Sequence, residues 1–315
     1  MFDQQTIQPE SHQHWLELRA QDLTSTEVSA LFGLSPYLGA FELWHRKANK
    51  QVVRIEETER MRWGNRLEAS IAQGAAEERG WTVQPHKAYV RLPALRIGSS
   101  FDFLITAPTK ALLEVKNVDG GVYARDWIER DGAAAEAPEH IELQVQHQLL
   151  VSDLPEAYLV ALVGGNTLKI LHRKRDDQVC AAIRAKAAAF WASIEAGVEP
   201  APDFRADGAY IRNVLRRHAD VDIVLHADIE TDQLLQRYRN ASAAVSEAEE
   251  LRDAIKAEVL LRVGSAAKVV GSAGTLSCGE VPDSPGKLVT PDLVGQYINA
   301  RKGYRSFRFT PRKEK

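Results

Sequence analysis

The sequence predicts an α/β protein with a helical arm towards its C-terminus, and three observations carry that prediction. Two short apolar runs, 101–105 and 111–115, flank the turn segment Ala-Pro-Thr-Lys at 107–110, which is typical of a β-hairpin. Segments with helical periodicity precede and follow this hairpin. From residue 228 onwards, apolar residues recur at a mean spacing of about three and a half, which is typical of a coiled coil or a helical hairpin.

The N-terminal third predicts four helices. The second begins with Thr24 or Ser25 as its N-cap and ends at Gly33, and the fourth is amphipathic, with Met61 facing inward and Gly80 at its end. Their ranges are 14–21, 24–33, 40–47 and 58–80.

The middle of the chain alternates predicted strands and helices. A strand at 82–92 is broken at Pro85, and an irregular loop at 118–138 is expected to expose Tyr123 and Trp127. Gly-Gly-Asn at 164–166 indicates a second hairpin. The remaining elements are a helix at 140–151, strands at 157–163 and 167–171, and a helix at 176–196.

Charged residues interrupt the apolar strands of the first hairpin. Asp102 lies near the start of its first strand, and Glu114 and Lys116 lie near the end of its second. Side chains alternate across a strand, so Glu114 and Lys116 project from the same face. Burying them is unfavourable unless they are paired or bind a metal. If Asp102 reaches the same point, the group suits Mg²⁺ or Mn²⁺ and phosphodiester hydrolysis.

Other residues extend this hypothesis, and each also has a structural interpretation. Glu68, near the inward side of its helix, is a further metal ligand or a residue at the edge of the core. Arg19 and Ser25 suit a phosphate, or are a solvated arginine and a capping serine. Gln144 and Gln148 share one helix face. The three hairpin residues by themselves are also compatible with a solvated face and a weak surface ion pair.

The composition limits the classes of function. Lys and Arg number 40 against 43 Asp and Glu, and the net charge of -3 means that any DNA site must come from local clustering. Two cysteines exclude a four-cysteine zinc or iron–sulfur site supplied by this chain. We expect a cytoplasmic protein without membrane contact, because neither a signal peptide nor a long apolar run is found.

Eight short motifs, taken together, resemble the YqaJ-like viral recombinase family, the phage lambda exonuclease type within the PD-(D/E)XK nucleases. The resemblance covers roughly residues 14–196 and depends on the order of the motifs, since none is specific by itself. They are Trp15-Leu-Glu-Leu-Arg19, Thr24-Ser-Thr-Glu27, Gly33-Leu-Ser-Pro-Tyr37, Leu43-Trp44, Gly64-Asn-Arg-Leu-Glu68, Ser100-Phe-Asp-Phe-Leu104, Leu113-Glu-Val-Lys116 and Gln144-Val-Gln-His-Gln148.

The resemblance implies a restriction-endonuclease-like core with a mixed central sheet flanked by helices. It also implies a Mg²⁺- or Mn²⁺-dependent 5′-to-3′ exonuclease that acts on double-stranded DNA ends with two metal ions, making 3′ tails for recombination. A ring-shaped homotrimer, a single-strand annealing protein as partner, and phage or prophage origin in a bacterial host are further implications.

The same resemblance assigns roles to individual residues. Glu68, Asp102, Glu114 and the Val115 carbonyl would be metal ligands, and Lys116 would orient the attacking water. Gln144 would support the site, and Arg19 with Ser25 would hold the 5′-phosphate. The list of these positions is Arg19, Ser25, Glu68, Asp102, Glu114, Val115, Lys116 and Gln144.

Two features depart from the minimal pattern. Phe101 stands where the superfamily motif has proline, and the chain continues well beyond the exonuclease core. We therefore expect a nuclease domain at 1–222, a helical coiled-coil arm at 223–265 and a small basic region at 266–315. An endonuclease of the same superfamily and a non-catalytic DNA-binding or assembly module remain as alternatives.

Overall fold

A computed structural model describes residues 3–54, 56–129, 136–215, 228–271 and 274–279. The chain divides into two compact units, Met1–Ile211 and Arg212–Lys315. The elements up to residue 214 are, in chain order, β1 (Gln5–Ile7), α1 (His12–Gln21), β2 (Leu23–Thr24), a first 3-10 helix (Val28–Phe32), α2 (Ala40–Ala48), α3 (Glu59–Arg79), β3 (Thr82–Pro85), β4 (Tyr89–Leu92), a second 3-10 helix (Pro93–Leu95), β5 (Ile97–Ser100), β6 (Phe103–Ala107), β7 (Ala111–Val118), α4 (Gly120–Asp126), α5 (Glu139–Ser152), β8 (Glu156–Val163), β9 (Thr167–Lys174), α6 (Asp177–Glu195) and α7 (Gly208–Val214).

A mixed five-stranded sheet forms the centre of the first unit, with strand order β3-β6-β7-β8-β9. Both predicted hairpins are present, since β6 pairs antiparallel with β7 and β8 pairs antiparallel with β9. β7 and β8 are parallel, and such a pair needs a crossover connection, which here contains α4 and α5. The predicted α/β class with a mixed sheet flanked by helices is therefore confirmed.

The predicted strand at 82–92 is divided between two sheets. β3 ends at Pro85 and pairs with β6, whereas β4 belongs to a four-stranded sheet with order β1-β4-β5-β2. Proline has no N–H to donate to a ladder, so a break at this position agrees with the sequence. The second sheet contains β2, which ends just before Ser25, and β5, which ends two residues before Asp102.

Two helical layers cover opposite faces of the central sheet. Ile71 of α3 packs with Leu113 and Val115 of β7, whereas Leu112 packs with the cluster that contains Leu143 of α5. Alternate residues of β7 therefore face different layers, as expected for a strand. Glu114 and Lys116, in phase with Leu112, face α5.

Two details of the predicted helices are wrong. Met61 is 42% exposed, because it lies in the first turns of α3, before the buried stretch that begins at Ile71. Ser25 and Thr24 do not cap a helix that starts beside them. The short 3-10 helix has Glu27 as its N-cap residue, and the Glu27 carboxylate accepts hydrogen bonds from the N–H and hydroxyl of Thr24.

The predicted loop at 118–138 contains the helix α4, whose N-cap Asp119 accepts hydrogen bonds from the backbone of Gly121 and Val122. Tyr123 and Trp127, expected to be exposed, are buried and stack on each other with ring centroids 5.2 Å apart. They join a cluster that includes Leu159 of β8. The prediction of exposure was wrong because these rings cover the sheet at the crossover.

The second unit contains α8 (Ile229–Val263), β10 (Lys268–Gly271) and β11 (Gly274–Ser277). α8 is a single continuous helix of 35 residues that begins at the N-cap Asp228, so the helical prediction is confirmed, and none of its residues, all of them described, is buried. β10 and β11 pair antiparallel. The predicted boundary at 222/223 and the basic tail after 279 lie outside the described residues, and coiled-coil pairing of the arm stays a prediction.

Within the described ranges, no helix combines sufficient length with a sufficiently apolar composition to span a membrane.

Candidate active site

The carboxylate of Asp102 lies where the first hairpin opens. The ladder between β6 and β7 ends at the pair Phe103 and Leu113, so the backbone of β7 beyond Leu113 has no partner in β6. The Val115 N–H instead donates to Asp102 Oδ2 at 2.8 Å. The predicted convergence of Asp102 with the end of β7 is thus present, and one hydrogen bond holds it.

Glu114 forms the centre of the site and is almost completely buried. Its Oε1 accepts hydrogen bonds from Lys116 Nζ at 2.6 Å and from the Gln144 side-chain amide. Its Oε2 accepts a hydrogen bond from Gln148 Nε2 at 2.7 Å, and Lys116 Nζ also lies 3.4 Å from Gln144 Oε1. The shared strand face of Glu114 and Lys116 is confirmed, and so is the shared helix face of Gln144 and Gln148.

Gln148 is a site residue for which the sequence predicted a shared helix face with Gln144 but no role. Its only signal is its spacing, one helical turn after Gln144 on α5. Both amides reach the same buried carboxylate and satisfy oxygens that would otherwise be buried without partners. Gln146, between them, points away and donates to the Lys174 carbonyl at 2.9 Å.

The charge of Glu114 acts on two other carboxylates of this site. Burial raises the pKa of Asp102 well above its usual range, and the negative charge of Glu114 raises it further. The pKa of Glu68 is also raised, first by burial and then by Glu114. Burial lowers the pKa of Lys116, but the charges of Glu114 and Asp102 outweigh that effect and the net pKa is raised. Lys116 therefore stays a cation. The pKa values of Asp102 and Glu68 remain raised in spite of its charge, so a further cation would stabilise their ionised forms.

The chemistry of these donors fits a hard divalent cation. Carboxylates whose pKa is raised by desolvation and by a neighbouring negative charge are stabilised by a cation between them, and oxygen ligands suit Mg²⁺ and Mn²⁺. The N–H and C=O of one strand residue point to the same side, so the Val115 carbonyl faces the side of Asp102. In the described ranges, no three His, Cys, Asp or Glu side chains are placed so that they could together hold a metal ion. The oxygens of Glu114 are turned to Lys116 and the two glutamines instead.

Arg19 of α1 and Ser25, which follows β2, both lie beside Thr26, but they are held in different ways. The Arg19 guanidinium lies 4.6 Å from the centroid of the Trp15 ring and donates to the Thr26 hydroxyl at 3.0 Å, and it remains partly exposed. The Ser25 hydroxyl is buried and accepts a hydrogen bond from the Ser99 hydroxyl at 2.9 Å. Arg19 with Thr26 is thus open to an anion, whereas the Ser25 hydroxyl is already engaged.

A buried lysine of α2 binds the backbone of the segment that carries Arg19 and Ser25. Lys47 Nζ, almost completely buried, donates to the carbonyls of Arg19 and Asp22, each at 2.7 Å. It also forms an ion pair with Glu27 at 2.7 Å, and the Asp22 carboxylate pairs with Arg91 at 2.6 Å. A buried charge is tolerated when it is paired and fully hydrogen-bonded. The network therefore ties the backbone between Arg19 and Glu27 to Lys47 of α2.

His147, also on α5, is completely buried, and its two ring nitrogens have no hydrogen-bond partner in the described part of the chain. Burial lowers its pKa to about 4, below the ordinary value of about 6.5. Between these two pH values the unfolded chain binds a proton that the folded chain does not. Stability is therefore lost as the pH falls through this window.

We expect this one group to lower the free energy of unfolding by about 3 kcal/mol between pH 7 and pH 4. Urea unfolding of the wild type and of His147→Leu at both pH values measures the effect. The variant is expected to lose less stability over that range. An equal loss in both proteins would contradict the assignment.

The chain is also similar to proteins of known family or structure. A sequence profile of the YqaJ-like viral recombinase domain matches residues 14–155, from α1 to the start of β8. Residues 14–155 are therefore similar to this family. The chain is also 28% identical over 258 residues to the uncharacterized protein YqaJ of Bacillus subtilis (strain 168), covering 79% of this chain and 78% of that protein.

Two solved structures are similar at a lower level. The alkaline exonuclease LHK-Exo from Laribacter hongkongensis has a TM-score of 0.47 and 17% identity, covering 62% of this chain and 98% of that one. A phage-related exonuclease from Haemophilus somnus 129PT has a TM-score of 0.40 and 12% identity, covering 56% and 95%. The segment that matches the YqaJ-like model, residues 14–155, contains every site residue named above from Arg19 to Gln148.

Proposed function

We propose that this YqaJ-like domain is a Mg²⁺- or Mn²⁺-dependent nuclease that degrades double-stranded DNA from a 5′ end. The observation that carries the proposal is the buried carboxylate of Glu114, bonded to Lys116, Gln144 and Gln148 beside Asp102. A surface ion pair would not need two buried amides to support it. The family, a viral recombinase domain, supports DNA as the substrate.

Glu68, Asp102, Glu114 and the Val115 carbonyl would hold the metal, for which two ions are proposed. When bound, the metal lowers the pKa of a water molecule and offsets negative charge on the reacting phosphate. Lys116, a cation at its raised pKa, serves better as an orienting and electrostatic group than as a base. Gln144 and Gln148 keep the Glu114 carboxylate in place, and Asp102 is fixed by the Val115 N–H.

The choice of DNA end is assigned to Arg19 and to Thr26, the residue to which it donates. A guanidinium with free donors and the neighbouring Thr26 hydroxyl suit a terminal phosphate, and Lys47 fixes the backbone beneath them. The buried Ser25 hydroxyl would join this site only by exchanging its bond with Ser99. The proposed products are 3′ single-stranded tails, to be used by a single-strand annealing protein, and a homo-oligomer, such as a trimer, remains part of the proposal.

The test is digestion of a linear duplex with 5′-phosphate ends beside a covalently closed circle of the same sequence. With Mg²⁺, only the linear form is expected to be degraded, and EDTA is expected to stop the reaction. A linear duplex with 5′-hydroxyl ends is expected to react more slowly, because the site at Arg19 then lacks its anion.

The other outcomes discriminate between the alternatives. Nicking of the circle would favour an endonuclease of the same superfamily. No reaction with either substrate, with Mg²⁺ or Mn²⁺, would contradict the nuclease proposal and favour a DNA-binding or assembly module.

A further inference from the structure

The turn at residues 33–38, between the first 3-10 helix and α2, presents an exposed aromatic ring on a fixed backbone. The Tyr37 side chain is 76% exposed. Its N–H and that of Leu38 both donate to the Ser35 hydroxyl, at 3.2 and 3.3 Å, and Leu38 is buried in the core. The turn also starts from Gly33, whose φ of 71° ends the 3-10 helix. The ring is therefore held out to solvent by a well-anchored segment.

Tyr37 lies beside the candidate active site. Its ring meets that of His140 edge to face, with centroids 5.8 Å apart and an angle of 86° between the planes. His140 is one helical turn before Gln144 on α5, so both side chains lie on the same side of the helix. Gln144 contacts both Glu114 and Lys116. One ring contact and one helical turn thus separate Tyr37 from the residues proposed to act on the phosphate.

We propose that Tyr37, supported by His140, forms a stacking platform for the base of the 5′-terminal nucleotide that is being released. This inference rests on the proposed function and adds a binding site for the base. In this proposal the nucleotide places its phosphate near Lys116 and its base, several ångströms away, on the ring of Tyr37. Edge-to-face contact with His140 leaves Tyr37 largely open, as its exposure requires.

Stacking suits an enzyme that must act on any sequence. Every base has a π face, so an aromatic side chain binds all four without reading hydrogen-bond donors and acceptors. The ring alone is needed for this role, and the Tyr37 hydroxyl is not. His140 orients the Tyr37 ring, which is why its loss is expected to weaken the platform without abolishing it.

The experiment uses the full chain and two duplexes with 5′-phosphate ends, identical except that the 5′-terminal nucleotide of one is abasic. The wild type is expected to have a KM about tenfold higher for the abasic end. Tyr37→Ala is expected to show the same raised KM for both ends, with kcat little changed. Tyr37→Phe should discriminate as the wild type does, and His140→Ala should show an intermediate ratio. Phe204→Ala, which removes a ring that is 77% exposed elsewhere in the unit, is the matched control.

The outcomes separate this inference from the proposed function. A wild type that degrades both duplexes with the same KM overturns the stacking platform and leaves the nuclease intact. Tenfold discrimination retained by Tyr37→Ala also overturns it. A wild type that degrades neither duplex overturns the nuclease proposal and the platform with it.

Discussion

Replacing Lys116 with alanine is expected to lower the rate of DNA cleavage by about a thousandfold while duplex DNA is still bound. Lys116 Nζ lies 2.6 Å from Glu114 Oε1 and is the cation nearest to that carboxylate among the contacts described. Its raised pKa keeps the charge in place over the working pH range. The variant loses the group that orients the attacking water and offsets charge on the phosphate, but it leaves Arg19 and Thr26 unchanged.

Nucleotide release from a 5′-phosphorylated duplex with Mg²⁺ measures the loss, and fluorescence anisotropy with labelled duplex measures binding. The matched control is Lys169→Ala in β9, since that lysine is also partly buried and paired with a carboxylate, Glu129, at 2.6 Å. The control is expected to cleave at the wild-type rate. Cleavage by Lys116→Ala at a rate near that of the wild type would remove Lys116 from the proposed mechanism.

Replacing Asp102 with asparagine is expected to abolish cleavage and, at pH 8, to raise the Tm of the metal-free protein by about 3 °C. Asn keeps an oxygen that can accept the Val115 N–H, so the local backbone is retained. It removes a partly buried negative charge that faces Glu114. Burial and the charge of Glu114 are the two main causes of the raised Asp102 pKa. The same substitution removes a proposed metal ligand, so activity and stability are expected to change in opposite directions.

The pH dependence of this effect follows from the direction of the shift. Because the Asp102 pKa is higher in the folded state, the folded chain binds more protons between the ordinary and the raised value. The wild type therefore loses stability as the pH rises through that window, and the variant does not.

The Tm difference between Asp102→Asn and the wild type should consequently be present at pH 8 and absent below the ordinary pKa of an aspartate. Thermal unfolding in EDTA across this range measures it. Asp176→Asn is the matched control, because Asp176 is an exposed N-cap and asparagine caps helices equally well. A Tm of Asp102→Asn that is below that of the wild type at pH 8 would contradict the proposed charge repulsion.

The strands and helices were largely predictable because their signals are local. The turn segment at 107–110, the Gly-Gly pair at 164–165 and the C-cap at Gly80 each act on a few neighbouring residues. Burial was predicted less well, since it depends on which distant segment covers a side chain. Tyr123 and Met61 illustrate the two errors, one ring covered by the sheet and one side chain left exposed.

The candidate site was likewise predictable where its signals are local and unpredictable where it depends on contacts between distant segments. Strand alternation places Glu114 and Lys116 on one face, and helical spacing does the same for Gln144 and Gln148, so the sequence by itself determined both pairs. Only the tertiary structure decided that the two faces meet, that Ser25 is bonded to Ser99, and that Tyr37 stands beside His140. Periodicity governs neighbours a few residues apart, whereas contacts between residues far apart in sequence exist only when the sheet and helices pack together.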